Sequence, residues 1–270
     1  EALRLIEQER CTVFYGLPNM ALAMEVHPDR MTRDLTSLRT GATIGTPEQI
    51  QRIVDLGVHE ICNVYGLTEA YGNSAVIDCR DPLERRLRCS GKALEGQEIR
   101  IVDPETGAVL PAGARGEIVI RGNVTPGYLN DPARTAEVFD ADGWLHSGDL
   151  GVLDEERYLT FHGRLKELVK TGGINVAPAE VEKVLVRYQG IDQAWVTGIP
   201  DVRLDEAVAA VIVPANGATL EPEALIAFCR ESLAAYKVPR HYRFVAAADL
   251  PLTSTGKLQK NRLADFFRDG

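Results

Sequence analysis

Short apolar runs and amphipathic stretches alternate strictly through the first third of this chain, and that alternation constrains the fold more than any other feature. Residues 3–8 have a helical pattern, 11–15 a strand pattern and 21–26 a helical one again. Pro47 and Glu48 open a further helix that runs to residue 56, and 60–64 is a strand. Parallel strands need a crossover, and a helix is the usual one, so this order predicts βα units on a largely parallel sheet. From about residue 90 to 163 short strands at 98–102, 116–121 and 158–161 are separated by turns such as Pro104-Glu105-Thr106-Gly107 and Asp142-Gly143, which predicts a compact β-rich layer. Beyond Gly163 the pattern is α/β once more. Helices are expected at 178–187, where Pro178 suits the first turn, and at 222–233, with strands at 194–197 and 207–213.

The charges divide where the pattern does. Residues 1–163 hold 16 basic and 26 acidic residues, while 164–270 hold 14 and 13, together giving the net −9 of the chain. Two domains, 1–163 and 164–270, are the economical reading of 270 residues. The near-neutral second part is the better suited to bring cations to an anionic ligand. The acidic balance argues against a nucleic-acid scaffold, whose phosphate contacts need a basic stripe. No apolar run approaches the roughly 18 residues of a membrane span, and EALRLIEQER lacks an apolar signal core. Five cysteines without C-x-x-C spacing exclude a disulfide framework and a zinc site, so the expected compartment is the cytoplasm. The five histidines are scattered and form no H-E-x-x-H. Beginning without Met inside a helical pattern, the sequence reads as a piece of a longer protein.

Four segments place glycine and polar residues where a purely structural chain has no need of them. Tyr65-Gly66-Leu67-Thr68-Glu69 follows a strand, and the carboxyl end of a parallel strand is where an open α/β sheet binds ligands. Tyr65 offers an aromatic face, Thr68 a hydroxyl and Glu69 a hard oxygen suited to Mg²⁺. Helix caps are the structural alternative for Thr68 and Glu69. In Gly143-Trp144-Leu145-His146-Ser147-Gly148-Asp149-Leu150-Gly151, Asp149 could accept two hydroxyls of a ribose diol or simply close an Asx-type turn. Gly163-Arg164-Leu165-Lys166-Glu167 is followed by Gly172-Gly173, a glycine pair suited to a turn or to close approach of a ligand. Pro251-Leu252-Thr253-Ser254-Thr255-Gly256-Lys257 resembles the end of a P-loop. Pro251 stands where that motif needs Gly, however, and Leu258 where it needs Ser or Thr, so a P-loop is rejected.

In this order, YGLTE, GWLHSGDLG, GRLKELVKTGGINVAPAEVE and PLTSTGKLQK resemble the adenylate-forming superfamily of acyl-CoA synthetases, peptide-synthetase adenylation domains and luciferases, over essentially all 270 residues. The resemblance implies an α/β fold: the end of a large N-terminal domain, followed by a small, mobile α+β C-terminal domain acting as a lid. It implies a ligase of fatty or aryl acid metabolism that first joins a carboxylic acid to AMP from ATP and then transfers the acyl group to CoA. Tyr65 and Gly66 would pack on adenine, Thr68 contact phosphate and Glu69 hold Mg²⁺. Gly41, Ala42 and Thr43 match a strand-end loop beside adenine and the acyl group. Asp149 and Arg164 would bind the ribose, and Lys257 would be the lysine of the adenylation step. Lys166 falls on the family's hinge, and Gly172 and Gly173 on its CoA-binding segment. Tyr15, Gly16, Pro18, Asn63 and Tyr71 are candidates for the acid pocket. The family's phosphate loop is absent from this sequence, so the chain alone is expected to be inactive. Ile174 and Ala177 also depart from the family's more usual acidic or aromatic residues near the glycine pair. A carrier-protein-loading adenylation domain and a non-catalytic nucleotide-binding fragment are the alternatives.

Overall fold

Three strand–helix steps build the start of the molecule. Helix α1 (Ala2–Glu9) leads to β1 (Val13–Tyr15), α2 (Pro18–Glu25) to β2 (Thr40–Thr43), and α3 (Pro47–Asp55) to β3 (Glu60–Tyr65). The strands pair in parallel in the order β1-β2-β3, as the alternation predicts. Helix α3 starts on a capping box, with Thr46 accepting from the Gln49 N–H and Gln49 reaching back to Thr46, and Pro47 in its first turn. Its Ile50, Ile53 and Val54, spaced to share one face, pack with Phe14 and Ile61 of the sheet. Two short antiparallel strands, β4 (Ala75–Val76) and β5 (Lys92–Ala93), extend the sheet beyond β3. Between them lies α4 (Leu83–Arg88), whose buried Arg86 donates to the carbonyls of Asp81, His59 and Ile61. Three acceptors make that guanidinium tolerable inside.

A second sheet contains β6 (Gln97–Val102), β7 (Arg115–Gly122), β8 (Leu145–Leu153) and β9 (Leu159–Arg164) in that order, with α5 (Pro132–Val138) in the connection before β8. The β6–β7 and β7–β8 pairs are antiparallel, and Ile99, Ile101, Ile118, Ile120 and Leu159 fill one core cluster. The GWLHSGDLG segment differs from the turn expected of its glycines. Most of it is strand β8, interrupted by a bulge. Gly41, Ala42 and Thr43 likewise lie inside β2 rather than in a loop beyond it.

The described residues, 1–253 and 258–268 of this computed structural model, fall into two compact units, Glu1–Phe161 and His162–Gly270. In the second unit β10 (Val169–Thr171) and β11 (Ile174–Val176) form a hairpin, followed by α6 (Pro178–Leu185). The long strands β12 (Ile191–Asp201) and β13 (Asp205–Pro214) pair antiparallel, and after α7 (Pro222–Ser232) strand β14 (His241–Phe244) pairs in parallel with β13. Val181 and Leu185 of α6 and Leu225 and Cys229 of α7 pack with Val196, Val208, Ala210 and Ile212 of the sheet.

Candidate functional site

The carboxyl end of β3 runs directly into the first motif. Tyr65 is its last residue, and Gly66 follows with no space for a side chain: a Cβ there would lie 1.6 Å from the carbonyl oxygen of Gly72. Any other residue would push the returning segment away. Thr68 and Glu69 begin a single 3₁₀ turn, Thr68–Ala70, with Thr68 exposed and Glu69 half-buried. Glu69 accepts a 2.7 Å hydrogen bond from the Tyr128 hydroxyl, and the Glu69 carbonyl accepts from the Thr125 N–H at 2.6 Å. That bond to the carboxylate holds the Tyr128 phenol above its ordinary pKa, because the anion favours the protonated donor. The Arg134 guanidinium lies 4.4 Å from the centre of the Tyr128 ring. Tyr128 was not among the sequence candidates. Its partner is 59 positions away, and nothing local to Gly127-Tyr128 announces a role.

Tyr65 and Asp149, 84 residues apart, are brought together. The Tyr65 hydroxyl donates to Asp149 Oδ2 at 2.9 Å, and both residues are buried. The Tyr65 ring stacks with Phe161 at 6.1 Å between centroids. An aromatic ring and a carboxylate are thus fixed side by side at the carboxyl end of a parallel strand, a pairing suited to a base and the hydroxyls of its sugar. On β2, Gly41 faces β1 so closely that a Cβ would meet the Phe14 carbonyl oxygen at 1.7 Å. Thr43 is buried at the strand end, and Ala42 is half-buried beside it.

The remaining nucleotide, hinge and CoA candidates belong to the second unit or lie outside the described residues. Arg164 ends β9, and Lys166 sits in the 3₁₀ turn Leu165–Glu167. Gly172 and Gly173 make the β10–β11 turn with φ of +58° and +78°, left-handed values that favour glycine at both positions. Neighbouring Glu167 shares the Lys260 ammonium with Glu182, at 3.1 and 3.2 Å. Burial raises the pKa of Glu182. It also works against the charge of Lys260, but the two carboxylates more than offset that, and the ammonium is held above its ordinary value. Lys257 lies outside the described residues. Among the described residues no three His, Cys, Asp or Glu side chains gather as a metal cluster, and no helix is long and apolar enough to cross a membrane.

Residues 1–129 match the AMP-binding enzyme family, and residues 180–257 match the AMP-binding enzyme C-terminal domain. The chain is 40% identical over 271 residues to a medium-chain acyl-CoA ligase of Danio rerio, covering 97% of this chain and 44% of that protein. It is 38% identical over 265 residues to a feruloyl-CoA synthase of Amycolatopsis, covering 97% and 53%. Among solved structures, the amide bond synthetase McbA of Marinactinospora thermotolerans superposes with a TM-score of 0.88 at 34% identity, covering 98% of this chain and 54% of that one. The chain therefore spans about half the length of the relatives it matches. With both halves of the family pattern present in order on one α/β framework, the chain belongs to the adenylate-forming superfamily of AMP-binding enzymes.

Proposed function

We propose that the chain is the carboxyl-terminal part of an ATP-dependent acid–CoA ligase, with residues 1–163 completing a large nucleotide-binding domain and 164–270 forming its lid. The observation that carries this reading is the Tyr65–Asp149 pair at the end of β3, 2.9 Å apart, in a chain whose relatives include acyl-CoA ligases over nearly all its length. Tyr65 and Gly66 would receive adenine beside the ends of Gly41, Ala42 and Thr43. Asp149 and Arg164 would take the ribose hydroxyls, and Thr68 the α-phosphate. The carboxylate of the acid attacks that phosphorus, the bond to pyrophosphate breaks, and acyl-AMP remains. The CoA thiolate then attacks the acyl carbon and AMP leaves, with Gly172 and Gly173 allowing the pantetheine arm close to the backbone.

Glu69 suits Mg²⁺ of the kind that travels with nucleotide phosphates. It offers one half-buried carboxylate oriented by Tyr128, and Mg²⁺ usually takes one or two carboxylates, keeping phosphate and water for its other positions. Such an ion would neutralise charge developing on the departing pyrophosphate. Lys257 would add an ammonium to the same developing charge, which stabilises the transition state more than the ground state. The test is pyrophosphate release by the full-length protein against a panel of aliphatic and aryl acids, followed by thioester analysis with free CoA. Acid-dependent pyrophosphate and an acyl-CoA product are expected. Adenylate that acylates only a carrier protein, or only an amine, would replace the CoA reading. No adenylate with any acid would remove it.

A further inference from the structure

Strand β8 is longer than its partner where it matters most. The β7–β8 register pairs Glu117 with Leu150 and Val119 with His146, so Ser147, Gly148 and Asp149 face Ile118 alone. Such a bulge takes backbone groups out of the ladder, and each buried one then needs another partner. Side chains partner three of these backbone groups. The Ser147 hydroxyl donates to the Ile118 carbonyl at 2.6 Å, and Ser147 Oγ in turn accepts from the Asp149 N–H at 3.1 Å. The Gly148 N–H, at a residue with φ +70°, donates to Glu117 Oε1 at 3.0 Å. Glu117 Oε2 is 2.8 Å from His146 Nδ1, and since a carboxylate only accepts, Nδ1 carries the hydrogen. Glu117 is only 6% exposed.

Burying a carboxylate is costly unless it is fully hydrogen-bonded, and satisfying one glycine N–H needs no charge at all. What Glu117 does that a neutral acceptor would do less firmly is hold Gly148 in a left-handed conformation while braced from behind by His146. The residue that this geometry re-aims is the next one, Asp149, whose carboxylate arrives at the Tyr65 hydroxyl. We infer that Glu117 is a positioning residue for nucleotide recognition: by gripping the Gly148 N–H it sets where the Asp149 carboxylate stands, and so the enzyme's selectivity for the ribose hydroxyls. The inference rests on the reading of Asp149 as the ribose ligand.

The test compares ATP with 2′-deoxy-ATP and 3′-deoxy-ATP in pyrophosphate release by the full-length protein. Asp149→Ala serves as the reference and should lose the preference for intact ribose. Glu117→Leu, which orphans the Gly148 N–H, should raise KM for ATP by roughly tenfold or more, the worth of a hydrogen bond to a charged group. Its preference for ATP over the deoxy analogues should fall to that of Asp149→Ala, while kcat changes less. Glu117→Gln keeps an acceptor towards Gly148 and should retain most of the preference. Should Glu117→Leu fail to fold, Glu117→Asp decides, because it keeps the charge but withdraws it by one methylene. A folded Leu or Asp variant that discriminates as the parent does would overturn the inference. If Asp149→Ala itself keeps the preference, the ribose reading fails, and this proposal falls with it.

Discussion

At the scale of single residues, two positions carry separable expectations. Lys257→Ala in the full-length protein should lower the rate of adenylate formation by on the order of 10²–10³, the usual loss for one preorganised charge-stabilising contact. Thioester formation from supplied acyl-AMP should stay near the parental rate. Measuring the two half-reactions separately checks this, and equal loss in both would remove Lys257 from its role. Gly66→Ala has a steric basis instead, since the new Cβ would fall 1.6 Å from the Gly72 carbonyl oxygen. The segment after Glu69 must then shift, and a displacement of about 1 Å at a reacting centre costs on the order of 10²-fold. Adenylation should fall by that order, with a drop in thermal midpoint that a melting curve would show; unchanged values for both would mean that the turn accommodates a methyl group. The glycine was visible in the sequence as part of YGLTE, but its reason was not, because Gly72 has no meaning until the chain folds back. Tyr128 and Glu117 were hidden for the same reason: each gains a role only through a partner tens of residues away.

At the scale of elements, period and punctuation separated what was legible from what was not. The βα alternation was readable because α3 shows its apolar spacing and caps locally, and β1, β2 and β3 are short runs between turn residues. Helices α4 and α5 were not readable. LERRLR is six residues long, with Leu83 and Leu87 as its whole apolar face and a buried arginine as anchor, while PARTAEV buries none of its residues, so neither shows a stripe long enough to read. Strand β8 was not legible because its bulge uses Ser, Gly and Asp, the residues that also make turns. A different element-level feature can be measured directly. Lys260 joins the last residue of the 3₁₀ turn, Glu167, to Glu182 of α6. Lys260→Met would leave two carboxylates facing each other without their shared cation. It should destabilise the second unit by about 3 kcal/mol, the lower end of the cost of breaking a buried ion pair, readable as a lower denaturation midpoint. Adding Glu182→Leu should recover only part of that loss, because Glu182 also accepts from the Val196 N–H at 3.0 Å.

At the scale of the whole molecule, the division into Glu1–Phe161 and His162–Gly270 gives Lys166 its interest, as the fifth residue of the second unit and inside a 3₁₀ turn. Hinges absorb φ/ψ change in a few residues, and proline locks φ near −65°, a value that a 3₁₀ turn already uses. Lys166→Pro in the full-length protein should therefore hold the turn in its present geometry. One half-reaction should survive while the other falls steeply, with overall turnover lost. Pyrophosphate release and thioester formation, assayed apart, would show it, and parental rates in both would place the pivot elsewhere. Strand β13 has a consequence of another kind. Seven consecutive residues, Ala207–Val213, are buried, and the strand is covered along one edge by β12 and along the other by β10 at Asp205 and β14 at Ala209–Ile212. The last of those covers is encoded some thirty residues later. A ribosome that has delivered β13 but not yet His241–Phe244 presents the most apolar stretch of the second unit with a bare edge, the kind of surface that recruits other chains. During that interval the second unit is open to chaperones, and once β14 is in place the same seven amides should be among the last of that unit to exchange with deuterium.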